Sequence, residues 1–136
     1  MKIDHIGVVV ESLEGSIESY CDKFGYDSVS PIFQDNIQKV RVTFLSSSEP
    51  SERIELIEPL DESSPVYKFL KSQGGVHHIA YKVNDIKAAV DEAESKGATV
   101  ICPPVPGAGH DNALVAFIYY NSDCPRGHIS EFVECK

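Results

Sequence analysis

The sequence has no tryptophan, one methionine and four cysteines in 136 residues. Cys21, Cys102, Cys124 and Cys135 form no Cys-x-x-Cys pair. Such spacing excludes the disulfide framework of a small secreted domain and argues against zinc ligation by Cys124 and Cys135. Reduced thiols in a cytoplasmic protein are expected instead. Cations are also scarce, with 12 Lys and Arg against 21 Asp and Glu and a net charge of −9. A surface of that sign repels phosphate polymers, which excludes nucleic acid as the expected partner. No apolar run approaches the ~20 residues that cross a bilayer. The start, Met1-Lys2-Ile3-Asp4-His5, lacks the charged-apolar-small order of a signal peptide. The remaining balance, 42% hydrophobic and 24% charged, excludes a mostly disordered chain.

What the chain does have is an internal repeat. Asp4-His5-Ile6-Gly7-Val8-Val9-Val10 parallels His77-His78-Ile79-Ala80-Tyr81-Lys82-Val83. Both segments are strand-like, and each precedes an amphipathic helix pattern. Ser12 and Asp85 are the expected N-caps, and Gly25 and Gly97 the expected stops. Strands Asp27–Ile32 and Thr99–Cys102 should follow, then Lys39–Leu45 and Asn112–Ile118. The final strands are Arg53–Pro59, after a polar turn at Ser46–Ser51, and His128–Cys135. The chain therefore reads as α+β, two tandem βαβββ modules in one domain of 136 residues. The modules span 1–60 and 76–136. A linker helix within 61–75 should start at Ser64-Pro65, with an apolar stripe of Val66, Phe69 and Leu70, and pack on the outside.

Strand side chains alternate between faces, so the register can be read. His5 and His78 open their modules on the face away from the helix, and Glu55 and Glu131 close them on that same face. Glu58 and Glu134 fall on the opposite face and should meet solvent. Two curved half-sheets joined edge to edge would make a cup, helices outside, lined by two imidazoles and two carboxylates. A strand His or an edge Glu taken singly is usually structural. Recurrence of both in both modules is what singles these four out.

Such a mixed donor set suits Zn, Co, Ni, Mn, Fe or Mg as a divalent ion. Four protein ligands leave two adjacent octahedral positions for two neighbouring substrate oxygens. The ion can then polarise a carbonyl, so that a proton alpha to it is removed and an enolate forms, with a carboxylate as base. Carboxylates on opposite sides of the enolate would allow epimerisation.

Asp4-His5-Ile6-Gly7, Glu55-Leu56-Ile57-Glu58-Pro59-Leu60, Ser64-Pro65, Gly75-Val76-His77-His78-Ile79-Ala80-Tyr81 and Glu131-Phe132-Val133 resemble the vicinal oxygen chelate superfamily. The nearest likeness is to the methylmalonyl-CoA epimerase and glyoxalase I-like branch, and it runs the length of the chain. The resemblance implies a glyoxalase-like fold and a divalent metal held by His5, Glu55, His78 and Glu131. It also implies a catalytic carboxylate at the metal, Glu131 or Glu55, and a possible homodimer. The epimerases carry Gly-Ala-His-Gly-Lys before the seventh strand. Here Pro106–Ala113 lacks the lysine, and the hairpin from Tyr119 to Gly127 is enlarged. Asp111 and Asn112 match an Asp-Asn pair of some small relatives and are implied to line the substrate site. Lys39, Arg41, Arg53 and Arg126 are the cations near the strands that could meet the phosphates of a CoA ester.

The expected activity is thus a metal-dependent epimerase or isomerase acting alpha to a carbonyl, on a small-molecule acyl-CoA. One alternative is lactoylglutathione lyase (glyoxalase I), a carbon–sulfur lyase acting on a thiol adduct. The other is a non-catalytic small-molecule binding protein of the same fold. Ring-cleaving dioxygenases use two His and one carboxylate, so the fourth ligand, Glu55, argues against that chemistry.

Overall fold

The computed structural model describes residues 1–48, 53–121 and 129–135. Strand β1 (Ile3–Val9) leads to helix α1 (Leu13–Phe24), then β2 (Ser28–Val29), β3 (Phe33–Asp35), β4 (Val40–Ser46) and β5 (Arg53–Pro59). Helix α2 (Tyr67–Ser72) precedes β6 (Gly75–Val83), helix α3 (Ile86–Ser95), β7 (Thr99–Pro106), β8 (Leu114–Tyr119) and β9 (Ile129–Glu134). This is the expected α+β order of two repeated modules. The expected polar turn lies partly outside the described residues, and so does the enlarged hairpin. Cys124 and Arg126 fall entirely outside them. Among the described residues, no helix is long and apolar enough to cross a membrane.

Two compact units emerge, His5–His77 and a second made of Met1–Asp4 with His78–Lys136. The boundaries differ from those expected. The linker helix belongs to the first unit, and Met1–Asp4 joins the second, where Lys82 N donates to Lys2 O at 2.9 Å.

In the first unit the strand order is β2-β4-β5-β1, with β3 also on β4. β1 and β5 are parallel, and the other pairs are antiparallel. The expected strand Asp27–Ile32 is cut short to Ser28–Val29, because Pro31 has no N–H to give to the ladder, and β3 is an additional strand beyond it. Ser30 bridges the break, its Oγ accepting from Phe44 N at 2.9 Å. One face of this sheet buries Leu45 and Leu56 with Leu13 of α1. Full burial of such leucines contributes roughly 1.5–3 kcal/mol each. Ser12 caps α1 by accepting from Gly15 N, and Gly25 ends it at φ 74°, a left-handed turn that costs glycine little.

The linker segment departs from expectation twice. Its helix starts at Tyr67, because Ser64, Pro65 and Val66 form a turn closed by Tyr67 N donating to Ser64 O at 3.0 Å. It also does not pack on the α1 side. Val66, Phe69 and Leu70 cover Val9, Val40, Val42 and Ile57. By strand alternation these lie on the face that carries His5 and Glu55. The reason is vacancy: α1 already occupies the other face, and the stripe needs an apolar partner.

In the second unit the order is β6-β9-β8-β7, with β6 and β9 parallel. Ile86, Val90 and Ala93 of α3 pack on Ala116, Ile118 and Phe132. Asp85 caps α3, accepting from Ala88 N at 3.0 Å. Ala80, Val115 and Val133 form a separate cluster with Val105 and Phe117 against them.

Glu58 and Glu134 do lie on the helix faces, but they are not simply solvated. Glu58 Oε2 accepts from Leu13 N at 2.8 Å, and Glu134 Oε2 accepts from Ile86 N at 3.0 Å. Each is a carboxylate placed against an unsatisfied N–H at the positive end of its module's helix. Glu58→Ala and Glu134→Ala are each expected to cost about 1–2 kcal/mol of stability. Urea unfolding would show this as a lower midpoint at unchanged slope, and an unmoved midpoint would remove the capping role.

Candidate metal centre

Each unit carries one buried imidazole–carboxylate pair. In the first, His5 is 0% exposed and Glu55 6%, and His5 Nε2 lies 3.3 Å from Glu55 Oε1. In the second, His78 and Glu131 are both 3% exposed, and Nε2 lies 3.2 Å from Oε1. Glutamate is rarely this buried without a partner that offsets the loss of hydration.

Register explains how each pair arises. On the parallel β1–β5 ladder His5 is opposite Arg53 and Gly7 opposite Glu55, while β4 sets Phe44 opposite Glu55. On the parallel β6–β9 ladder His78 is opposite Ile129 and Ala80 opposite Glu131, while β8 sets Phe117 opposite Glu131. A small residue, Gly7 or Ala80, flanks each carboxylate on one side, and a phenylalanine on the other. That ring meets the imidazole edge to face, with centroids 5.4 Å apart for His5 and Phe44 and 5.5 Å for His78 and Phe117. Such contacts fix the plane of the imidazole, and with it the direction of its ring nitrogen. Phe44 and Phe117 were visible only as strand residues in the sequence; their positional equivalence in the repeat was the available signal.

The spacing within each pair suits a shared ion. Two ligand atoms each about 2.1 Å from one cation stand roughly 3.0–3.4 Å apart, for octahedral to tetrahedral angles. The observed 3.2 and 3.3 Å lie in that interval. One nitrogen and one oxygen donor from each unit is a set that a divalent metal accepts.

The remaining expected site residues have other work. Arg41 lies on the α1 face of β4, with Leu45 and away from Phe44. It gives two hydrogen bonds to Glu14, at 2.7 and 2.9 Å, and stands 3.4 Å from Glu58. Strand alternation thus sets it on the face opposite His5 and Glu55. The Arg41 guanidinium holds the Glu14 carboxyl below its usual range. That contact is therefore complete at neutral pH and is lost as the pH falls through the lowered value. Asp111 and Asn112 are exposed, with φ of 57° and 61°, and occupy the centre of a turn in which Ala113 N donates to His110 O at 3.0 Å. Asp and Asn tolerate positive φ better than other side chains, which gives both a backbone role here. His77, the other half of the His pair, packs its ring on Phe69 at 4.9 Å.

Comparison with known proteins follows the same lines. The family model for the Glyoxalase/Bleomycin resistance protein/Dioxygenase superfamily matches residues 4–117. The ethylmalonyl-CoA/methylmalonyl-CoA epimerase of Cereibacter sphaeroides is 34% identical over 120 residues, 87% of each chain. The structure of a hypothetical protein from Bacillus halodurans superposes with a TM-score of 0.84 at 36% identity, over 99% of this chain and 94% of the other. Methylmalonyl-CoA epimerase from Streptomyces coelicolor, in complex with 2-nitronate-propionyl-CoA, gives 0.84 at 29% identity, over 98% and 96%.

Proposed function

Because this chain belongs to the Glyoxalase/Bleomycin resistance protein/Dioxygenase superfamily, we propose that it is a divalent-cation-dependent epimerase acting alpha to the carbonyl of an acyl-CoA thioester. The observation that carries this reading is the repeated buried pair, His5–Glu55 and His78–Glu131. We assign all four side chains to one ion. Two carboxylates balance the charge of a divalent cation, and two imidazoles complete a neutral donor set. Relatives named as methylmalonyl-CoA epimerases support the reaction class.

When bound, the cation supplies Lewis acidity toward the thioester oxygen. His5 and His78, stiffened by Phe44 and Phe117, hold position. Glu131 takes the proton from the alpha carbon, and the C–H electron pair passes into the thioester carbonyl. Solvent supplies a proton to the opposite face, Glu131 releases the one it took to solvent, and the epimer results. We assign the base to Glu131, whose cross-strand neighbours are Ala80 and Phe117 and whose carboxylate lies 3.2 Å from His78. Glu55 has Arg53 two residues before it and is assigned to ligation.

The experiment is incorporation of deuterium from solvent into methylmalonyl-CoA, followed by mass spectrometry, with elemental analysis of the same sample. Incorporation that stops on chelation supports the reading. Full metal occupancy with no incorporation removes it.

A further inference from the structure

On the face of the first unit that carries His5 and Glu55, side chains stand in rows across the strands. His5 and Arg53 make the first row, and Gly7, Glu55 and Phe44 the second. Val9, Ile57 and Val42 make the third, and Pro59 and Val40 the fourth. Helix α2 covers the third and fourth rows through Val66, Phe69 and Leu70. The cover is complete, since Val9, Val40, Val42 and Ile57 are each 5% exposed or less. In the second unit the third row is Lys82, Val133 and Val115, and Lys82 is exposed where Val9 is covered. The His78–Glu131 pair forms there all the same. A helix over the third row is therefore not what builds an imidazole–carboxylate pair, and α2 has another task.

Successive rows on one face lie ~6.8 Å apart, and a helix with its side chains is ~10–12 Å across. A helix seated over the third and fourth rows thus ends within roughly one or two carbon atoms of the second row, where Glu55 stands. Phe69 and Leu70 are only partly buried in the cluster they cover, so they stand at the margin of the helix, where a ligand beside Glu55 can meet them. Phe69 is also held in place by the His77 ring, edge to face at 4.9 Å. Both side chains are apolar and offer no hydrogen bond, which suits an alkyl group and repels a charged one. We propose that Phe69 and Leu70 form the wall against which the alkyl group of the reacting carbon packs, and that this wall admits only short chains. This rests on the epimerase reading and names the residues that set its acyl specificity.

The test is calorimetric binding of methylmalonyl-CoA and of the longer butylmalonyl-CoA to the metal-loaded protein, with deuterium incorporation from solvent read on the same samples. Wild-type protein should bind the methyl compound at least about tenfold more tightly, as expected where added methylenes meet a closed wall. Phe69→Ala and Leu70→Ala should each cut that preference, and at least one of them by about tenfold or more. Where Phe69→Ala does not fold, Phe69→Leu carries the test, with a smaller shift in the same direction. Leu13→Ala is the control. Leu13 is fully buried in the same unit but under α1, on the opposite face, so its loss should lower the thermal midpoint and leave the preference unchanged. A preference that neither α2 variant moves, while deuterium is still incorporated, would overturn the proposal and leave the epimerase reading in place. An equal shift in Leu13→Ala would overturn it as well, since loosening of the fold would then suffice. So would wild-type protein that binds both thioesters alike. A preference that shifts with Phe69 or Leu70 in protein that incorporates no deuterium would sink the epimerase reading and leave the wall standing.

Discussion

Glu131→Gln is expected to slow exchange of the alpha proton by about 10²- to 10⁴-fold, the usual contribution of a positioned general base. The cation should remain bound. A glutamine oxygen occupies nearly the same volume and still donates a lone pair, whereas it no longer accepts the proton at neutral pH. Metal content therefore separates this effect from simple collapse of the site. Glu55→Gln offers the internal comparison, because Glu55 makes the equivalent 3.3 Å contact with its own histidine. It should lose far less rate if its main task is ligation beside Arg53. Equal losses would mean that both carboxylates carry protons, one to each face of the reacting carbon. Should Glu131→Gln keep wild-type exchange with the metal in place, Glu131 is not the base.

The pairing of these residues was legible because it depends on two local regularities. The repeat aligns His5 with His78 and Glu55 with Glu131, and the two-residue period of a strand places each pair on one face. Capping was equally local, since Ser12 and Asp85 act on N–H groups three residues away. Contacts that span the chain were another matter. Glu58 and Glu134 reach helix termini 45 and 48 residues distant, and alternation gives only their face, not what stands there. The side chosen by α2 depended on α1 already filling the other face, which is a packing outcome and not a pattern. Arg41 is the instructive case. Alternation from Phe44 already set it on the helix side, but charge alone suggested a substrate contact.

Loss of one imidazole should remove the cation altogether. His78→Ala takes away a donor and the ring that packs on Phe117. Cation content is expected to fall from about one per chain to near zero after dialysis, since the variant loses one of the four donors assigned to the ion. Stability should fall with it. Free cation at about 1,000 times its Kd stabilises the folded state by ~4.1 kcal/mol. At roughly 3–4 °C per kcal/mol for a chain of this size, stripping the wild-type protein with a chelator should lower Tm by roughly 12–16 °C. Adding the ion back should restore it. His78→Ala should unfold near the stripped wild-type value, and neither chelator nor added ion should move it further. That insensitivity is the decisive readout, because a lost core ring would also lower Tm but would leave the remaining response to cation intact. A wild-type midpoint that ignores both chelator and added Zn, Co and Mn would mean that the buried His–Glu pairs are held by their own contacts, and the cation-dependent chemistry would have no seat in this fold.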